Sequence, residues 1–586
     1  MLKLLRYISK KEWLYFGVSL VFIFSQVFLD LKLPDYTSRI TKLIETAGSA
    51  MSEIWHTGGM MLLCSLASLA CSVAVCFLAS RIAAGFSMRL RKAMFDKVES
   101  FSLEEINTFS TASLITRSTN DVMQVQILIV ISMQVVIKAP VMAVWAITKI
   151  AGKAWQWSVA TAIAVVILLI IMGIIMILVF PKFRRAQWLQ DALNLAAREN
   201  LTGIRVVHAY NAEEYQEEKF RKANTELLDN QLFANRTMTV LSPFMSLTMN
   251  CLSMSIYWIG AVLICSVLPT ATDALARRVD IFADMIVFMS YAMQIIASFL
   301  MIVMVFIMAP RALVAAGRIN EVLNTEAKIN DGKGTEATDK TGEVEFRHVS
   351  FMYADGSGNV LTDIDFTVNK GETLAIIGST GSGKTTLVNL IPRFYDATEG
   401  EVLVDGVNVK DYVLEELYKK LSYVSQKAVM FSGSVKSNVV FGSAADESRM
   451  DKAIEIAQAE EFVGELEEGA DAHVAQRGTN FSGGQKQRLS IARALCRDAE
   501  ILIFDDTFSA LDFKTDRELR DALKRETDGI TMIIVAQRIG TIMGADKIIV
   551  LDEGRQVGMG THSELMASCE VYRQIALSQL SEEELL

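Results

Sequence analysis

Before about residue 310 the chain runs repeatedly into apolar stretches too long for strands or ordinary core helices, and beyond that point such stretches stop. A helix needs about 20 apolar residues to cross a bilayer, where each backbone N–H and C=O must be satisfied within the segment. Six stretches reach that length, near residues 13–33, 57–80, 126–148, 158–180, 243–268 and 282–308. They predict an all-α transmembrane domain over 1–323. A chain of 586 residues also exceeds what one hydrophobic core serves. Its mean hydropathy of +0.31 therefore averages two unlike parts. The basic N-terminus (Lys3, Arg6, Lys10, Lys11) precedes a span-length run with no cleavage-site pattern, which reads as a retained span.

Basic residues set the expected orientation. The long connections at 81–125 and 181–242 are rich in Lys and Arg, whereas those near 34–56, 149–157 and 269–281 are short and hold few. Both termini and both long connections are expected in the cytoplasm. The segments Arg81–Ser100 and Ala186–Leu228 lack proline and favour helix, so the spans should extend well below the membrane. Turns are expected near Ser110–Ser113 and Val206–Tyr210, tips that a soluble motor could grip, with His208 as a packing residue. Asp30, Lys32 and Asp284 lie near span ends and are expected to snorkel. Lys138, nearer mid-span and next to Pro140, is the candidate for a cavity-facing charge. Trp13, Trp55, Trp145, Trp155, Trp157 and Trp258 read mostly as interface anchors. Met301, Met304 and Met308 suit either an apolar pocket or helix packing. A net charge of -10 argues against a nucleic-acid surface, and the seven cysteines show no metal spacing and read as free thiols.

Residues 324–343, polar and holding three glycines, read as a linker, and 344–586 as a soluble domain. Within it stands Gly378-Ser379-Thr380-Gly381-Ser382-Gly383-Lys384-Thr385, entered by the apolar run Leu374–Ile377 and left by a helical run from Thr386. This strand–loop–helix order places phosphates on a helix N-terminus, with Lys384 on the outer phosphates and the Thr385 hydroxyl on Mg²⁺. Tyr353, shortly before it, could stack on adenine. Ile501–Phe504 is an apolar strand ending in Asp505, suited to hold Mg²⁺, and Asp506, placed for a base. Ser482-Gly483-Gly484-Gln485 opens a second helix, a second anion-binding device that makes sense if it serves a different nucleotide.

Taken together, these motifs resemble the ATP-binding cassette (ABC) exporter half-transporters, in which six spans precede one nucleotide-binding domain. The likeness extends over essentially the whole chain. It implies a fold of six transmembrane helices with long cytoplasmic extensions, fused to a C-terminal α/β P-loop domain of the ABC type. It makes GSTGSGKT the Walker A loop, ILIFDD the Walker B strand and FSGGQ the signature. Tyr353 matches the adenine-stacking aromatic, Gln426 the glutamine that senses the γ-phosphate and the membrane domain and joins Thr385 and Asp505 as an expected Mg²⁺ ligand, and Ser509–Asp512 the D-loop. The resemblance further implies a head-to-tail dimer, each ATP lying between one chain's Walker A and the other's signature.

Two positions depart from the family pattern. Asp506 stands where glutamate is usual as base, and Gln537 where the switch histidine is usual. Aspartate is one methylene shorter, and a base must come within about 2.6–3.2 Å of its proton. Glutamine cannot become cationic as charge develops. The expectation is a site that binds ATP and hydrolyses it poorly, in the degenerate half of a bacterial heterodimeric, multidrug-type exporter. A second half-transporter would carry the glutamate and histidine. The expected cargo is amphipathic or hydrophobic, the expected location the cytoplasmic membrane. Alternatives are an importer on the same fold, for example for iron chelates, a homodimeric exporter of peptide or lipid, and an ATP-gated channel.

Overall fold

The computed structural model describes residues 2–45, 50–150, 154–267, 274–334, 339–354, 356, 358–443, 445–581 and 583–585. Parts of the expected external connections (46–49, 151–153, 269–273) and of the linker (335–338) fall outside them, as does the side chain of Met304. The chain divides into two units, Met1–Val98 with Ala112–Thr325, and Glu99–Thr111 with Glu326–Leu586.

The first unit is helical. Among the described residues six helical runs are long and apolar enough to cross a membrane: Lys10–Glu45, Met51–Glu99, Thr111–Ile150, Trp155–Thr202, Glu213–Cys265 and Ala274–Ile302. The last continues to Asn324. The second and fourth have 49 and 48 residues, about 70 Å at the rise of an α-helix and far more than a hydrocarbon core needs. Two π-helical segments, Arg117–Asp121 and Ser132–Val136, interrupt the third. Within the first of these segments, buried Asp121 receives Nε and Nη2 of Arg318 at 2.7 and 2.6 Å. Arg117 donates to the Arg318 carbonyl at 3.0 Å and to Glu321 at 2.6 Å. The third run and the foot of the sixth are thereby bolted together.

Several expectations from the sequence change here. Asp30 does not snorkel; its carboxylate faces Lys138 at 3.4 Å and accepts from the Ser68 hydroxyl, so the two charges offset each other. Trp157 is no interface anchor. It is 2% exposed, lies against Phe288 and donates to the Ile256 carbonyl at 3.2 Å. Nearby, Gly260 leaves space for Met285, which a Cβ there would strike. Residues 204–209 form a short helix, and the expected turn follows it at Tyr210–Asn211, where Asn211 takes φ of 50°. In that helix His208 is exposed and faces Glu213 at 2.7 Å instead of packing.

The second unit is built on two sheets. An antiparallel sheet of order β2-β1-β4-β5 comprises β1 (Val344–Phe351), β2 (Leu361–Val368), β4 (Glu399–Val404) and β5 (Val407–Asn408). A six-stranded sheet of order β12-β11-β3-β10-β9-β6 holds β3 (Thr373–Gly378), β6 (Leu421–Val424), β9 (Ile501–Asp505), β10 (Thr531–Val535), β11 (Lys547–Asp552) and β12 (Arg555–Gly560). It is parallel except for the β11–β12 pair. A short pair, β7 (Gly433–Ser434) with β8 (His473–Val474), stands apart. Strand β3 is buried on both faces, as inner parallel strands are. Leu374 and Ile376 join the core shared with the antiparallel sheet, while Ala375 and Ile377 join the core under the helices.

The linker is partly docked rather than free. Gly332 N–H donates to the Tyr412 carbonyl at 2.8 Å, and Asp331 accepts from Leu414 N–H at 2.9 Å. A side chain at 332 would collide with the Asp411 backbone, so glycine is what allows this approach. The tip helix Leu103–Phe109 also belongs to this unit. Ser102 and Glu105 cap it reciprocally, and Asn107 donates to the Tyr395 hydroxyl at 3.4 Å.

Candidate nucleotide site

Strand β3 delivers the phosphate loop. Gly381 and Gly383 take φ of 87° and 95°, a left-handed region costly for other residues, and the helix Lys384–Leu390 follows at once. Gly378 is required for a different reason: a Cβ there would run into the Leu551 carbonyl and lie 2.7 Å from Ser382 Oγ. Ser382 Oγ is buried with no hydrogen-bond partner among the described residues, a donor aimed inside the cradle. Lys384 Nζ donates to the carbonyls of Gly378 and Ser379 at 2.9 and 2.8 Å. Burial pulls its pKa below the ordinary lysine range, against the opposing pull of Asp506 and Asp505. Such a lysine gains from phosphate oxygens at the loop mouth. Gly378→Ala should therefore weaken ATP binding at least tenfold, because the backbone carbonyl it meets has little freedom to withdraw. Titration with a fluorescent ATP analogue reads this directly.

Strands β9 and β10 place the carboxylates. Asp505 is 2% exposed; it accepts from the Thr385 hydroxyl at 2.9 Å and from the Tyr423 hydroxyl at 3.1 Å. Burial raises its pKa first, and those two bonds and Lys384 oppose the rise. Among the described residues no trio of His, Cys, Asp or Glu could hold a metal alone. The hard oxygen donors Thr385 and Asp505 fit Mg²⁺, which is ordinarily completed by phosphate oxygens and water.

Asp506, at φ 48° and ψ 32°, turns the chain out of β9 into the turn Thr507–Ala510. Its Oδ2 accepts two amides at once, Gln426 Nε2 at 2.9 Å and Gln537 Nε2 at 2.7 Å. Both residues singled out for the γ-phosphate thus close on the same oxygen. Tyr353 bonds Thr386 through their hydroxyls at 3.0 Å, and its ring stands edge-on to Tyr395 at 5.3 Å. Tyr353, the phosphate-loop helix and the tip helix carrying Asn107 are thereby neighbours.

The signature stands elsewhere. Ser482 caps the helix Gly483–Leu495; its N–H and hydroxyl are engaged reciprocally with Gln485. An added Cβ at Gly484 would lie 3.4 Å from the Ala510 carbonyl, so the signature leans on the D-loop. Among the described residues no hydrogen bond joins Ser482–Gln485 to the phosphate loop. Sequence reasoning missed Tyr423, whose hydroxyl on Asp505 also reaches Asn389 at 3.1 Å. A polar ring in the apolar strand Leu421–Val424 was the available signal.

A phosphate loop, a Mg²⁺-suited carboxylate and a signature helix, on a domain joined to six spans, define an ATP-driven membrane transporter. The comparisons with known proteins agree. Residues 361–509 match the ABC transporter family and residues 16–299 the ABC transporter transmembrane region. An uncharacterized ABC transporter ATP-binding protein of Mycobacterium bovis is 39% identical over 534 residues, 90% of each chain. YfiB of Bacillus subtilis, also an ABC transporter ATP-binding protein, is 33% identical over 571 residues, 97% of this chain and 96% of its own. An ATP-dependent lipid A-core flippase of Pseudomonas aeruginosa is 32% identical over 516 residues, 86% of this chain and 82% of its own. The fold matches that of a bacterial Atm1-family ABC exporter with ATP bound, at a TM-score of 0.79 and 21% identity, covering 97% of this chain and 98% of that one. The chain belongs to the ABC transporters, as a half-transporter of the exporter fold with an ATP-hydrolysing domain, in the bacterial cytoplasmic membrane.

Proposed function

We propose that this chain is the catalytically degenerate half of a heterodimeric exporter, with both termini in the cytoplasm. One observation carries the reading: Asp506 Oδ2 is held by two neutral amides, Gln426 and Gln537. A general base must present a free lone pair to the attacking water, and a short carboxylate drawn toward two amides is poorly placed to do so. Gln537 adds a hydrogen-bond donor but no positive charge where the transition state needs it.

In this reading the loop Gly378–Thr386 and Tyr353 bind ATP, and Thr385, Asp505 and Gln426 would hold Mg²⁺, which would supply charge neutralisation at the phosphates. ATP stays long at this site. Ser482, Gly483, Gly484 and Gln485 complete the site of a different chain that carries glutamate and histidine, where hydrolysis proceeds. ATP binding closes the motor domains, and the tips convert closure into outward opening. The expected cargo is amphipathic or hydrophobic. The flippase relative favours a lipid within that class.

The test is the pair itself, reconstituted in lipid. Asp506→Asn should leave ATP turnover of the pair nearly unchanged, while removing the partner's base should abolish it. The reverse pattern would place the competent site on this chain.

A further inference from the structure

The loop that carries Gln537 is held from behind by a residue that belongs to none of the nucleotide motifs. Gln579 ends the helix Glu570–Gln579. Its Oε1 accepts from Ile539 N–H at 2.8 Å, and its Nε2 donates to the Gln537 carbonyl at 2.8 Å. One side-chain amide thus pairs with the backbone on both sides of Arg538, much as a neighbouring strand would. Each of the two front-facing side chains then has its own target. Gln537 Nε2 reaches Asp506 at 2.7 Å. The Arg538 guanidinium reaches the Ser509 and Leu511 carbonyls of the D-loop at 3.3 and 3.5 Å, over the Phe513 ring at 5.0 Å.

We propose that Gln579 is a positioning residue for the switch position of the nucleotide site, fixing the backbone of 537–539 so that the side chains at 537 and 538 meet residue 506 and the D-loop. The need for such a clamp follows from the local fold. After Val535 the chain leaves the sheet, and the next element is only the four-residue helix Ile539–Ile542. Without a bond from outside, the Gln537 carbonyl and the buried Ile539 N–H would lose these partners, and less would fix the loop between them. The clamp itself is firmly mounted. Tyr572 and Ala576 of its helix are fully buried, and the Tyr572 hydroxyl meets His562 at 2.7 Å. The His562 ring reaches on to the Leu585 carbonyl at 3.1 Å, which pins the segment beyond Gln579. The last helix is thereby wired to the γ-phosphate side of the site.

This assignment rests on Gln537 being the switch position of the proposed mechanism. Its test uses the full chain in lipid nanodiscs, with ATP and Mg²⁺, in two backgrounds: wild type, and a chain carrying Asp506→Glu with Gln537→His. Gln579→Met keeps the length and apolar body but loses both bonds; Gln579→Glu keeps the acceptor for Ile539 N–H and loses the donor. In whichever background turns over faster, Gln579→Met should lower kcat about five- to tenfold, with KM for ATP within about twofold. Gln579→Glu should fall between. Hydrogen exchange at the Ile539 amide should accelerate in Gln579→Met and not in Gln579→Glu. Unchanged kcat in Gln579→Met overturns the proposal, whether or not exchange moves. So does a loss that appears equally in kcat, KM and thermal stability, since that marks a general structural role. Failure of the doubly substituted background to outpace wild type counts against the degenerate-site reading alone, because Gln579 is then read in the wild-type chain.

Discussion

Asp506→Glu together with Gln537→His should raise ATP turnover of the purified chain about 10²-fold, read by phosphate release in lipid nanodiscs. That factor is the lower end of what a well-placed general base contributes. The gain has two parts that act on one phosphate and so do not simply add. Glutamate extends the carboxylate by a methylene, past the point where Gln426 and the residue at 537 hold Asp506 Oδ2. Histidine supplies a group that can turn cationic as charge builds on the phosphate. Each single substitution should give well under the combined gain. Asp506→Glu alone leaves the neutral amide in place, and Gln537→His alone leaves the short carboxylate under the hold of Gln426. If Gln537→His alone recovers the whole effect, carboxylate length is not the deficit.

The largest stability effect is expected at the foot of the membrane unit. Arg318→Ala should cost about 3–5 kcal/mol, because it strands a buried carboxylate. Asp121 is 0% exposed, and its two bonds to Arg318, at 2.7 and 2.6 Å, are what offset its burial. The converse change is milder. Asp121→Ala frees a guanidinium whose side chain is already 47% exposed, so water resolvates it at a cost of about 1 kcal/mol. Arg318→Ala combined with Asp121→Asn removes the buried charge and should recover most of the loss. Unfolding midpoints of the four chains in nanodiscs measure this asymmetry; equal losses from both single changes would mean that Asp121 finds another partner.

What the sequence made legible follows from how far apart the cooperating residues lie. The spans were plain because a bilayer demands long uninterrupted apolar runs, and each helix meets that demand within itself. The phosphate loop was plain because strand, loop and lysine must be adjacent to work at all. Asp505 and Asp506 were found at the end of an apolar strand for the same reason. Contacts assembled across the fold were hidden. Tyr423 reaches Asp505 only because β6 lies beside β9, and nothing near Gln579 in the chain points to Gln537. Asp30 looked like a snorkelling end residue until Lys138 came opposite it across two helices. Trp157 looked like an anchor until Gly260 opened room within the bundle. Charge and aromatic positions near span ends are set by partners, and partners are what a single linear pattern does not list.

The most direct test of the central claim is the identity of the nucleotide that the wild-type chain keeps. The full chain alone, in nanodiscs with Mg²⁺, is loaded with labelled ATP, freed of excess nucleotide, and sampled over minutes. A site with Asp506 held by two amides predicts that the retained label is ATP, with phosphate released far more slowly than the about 10 s⁻¹ of a typical enzyme. Retained ADP, with phosphate appearing at about that ordinary rate, would contradict it.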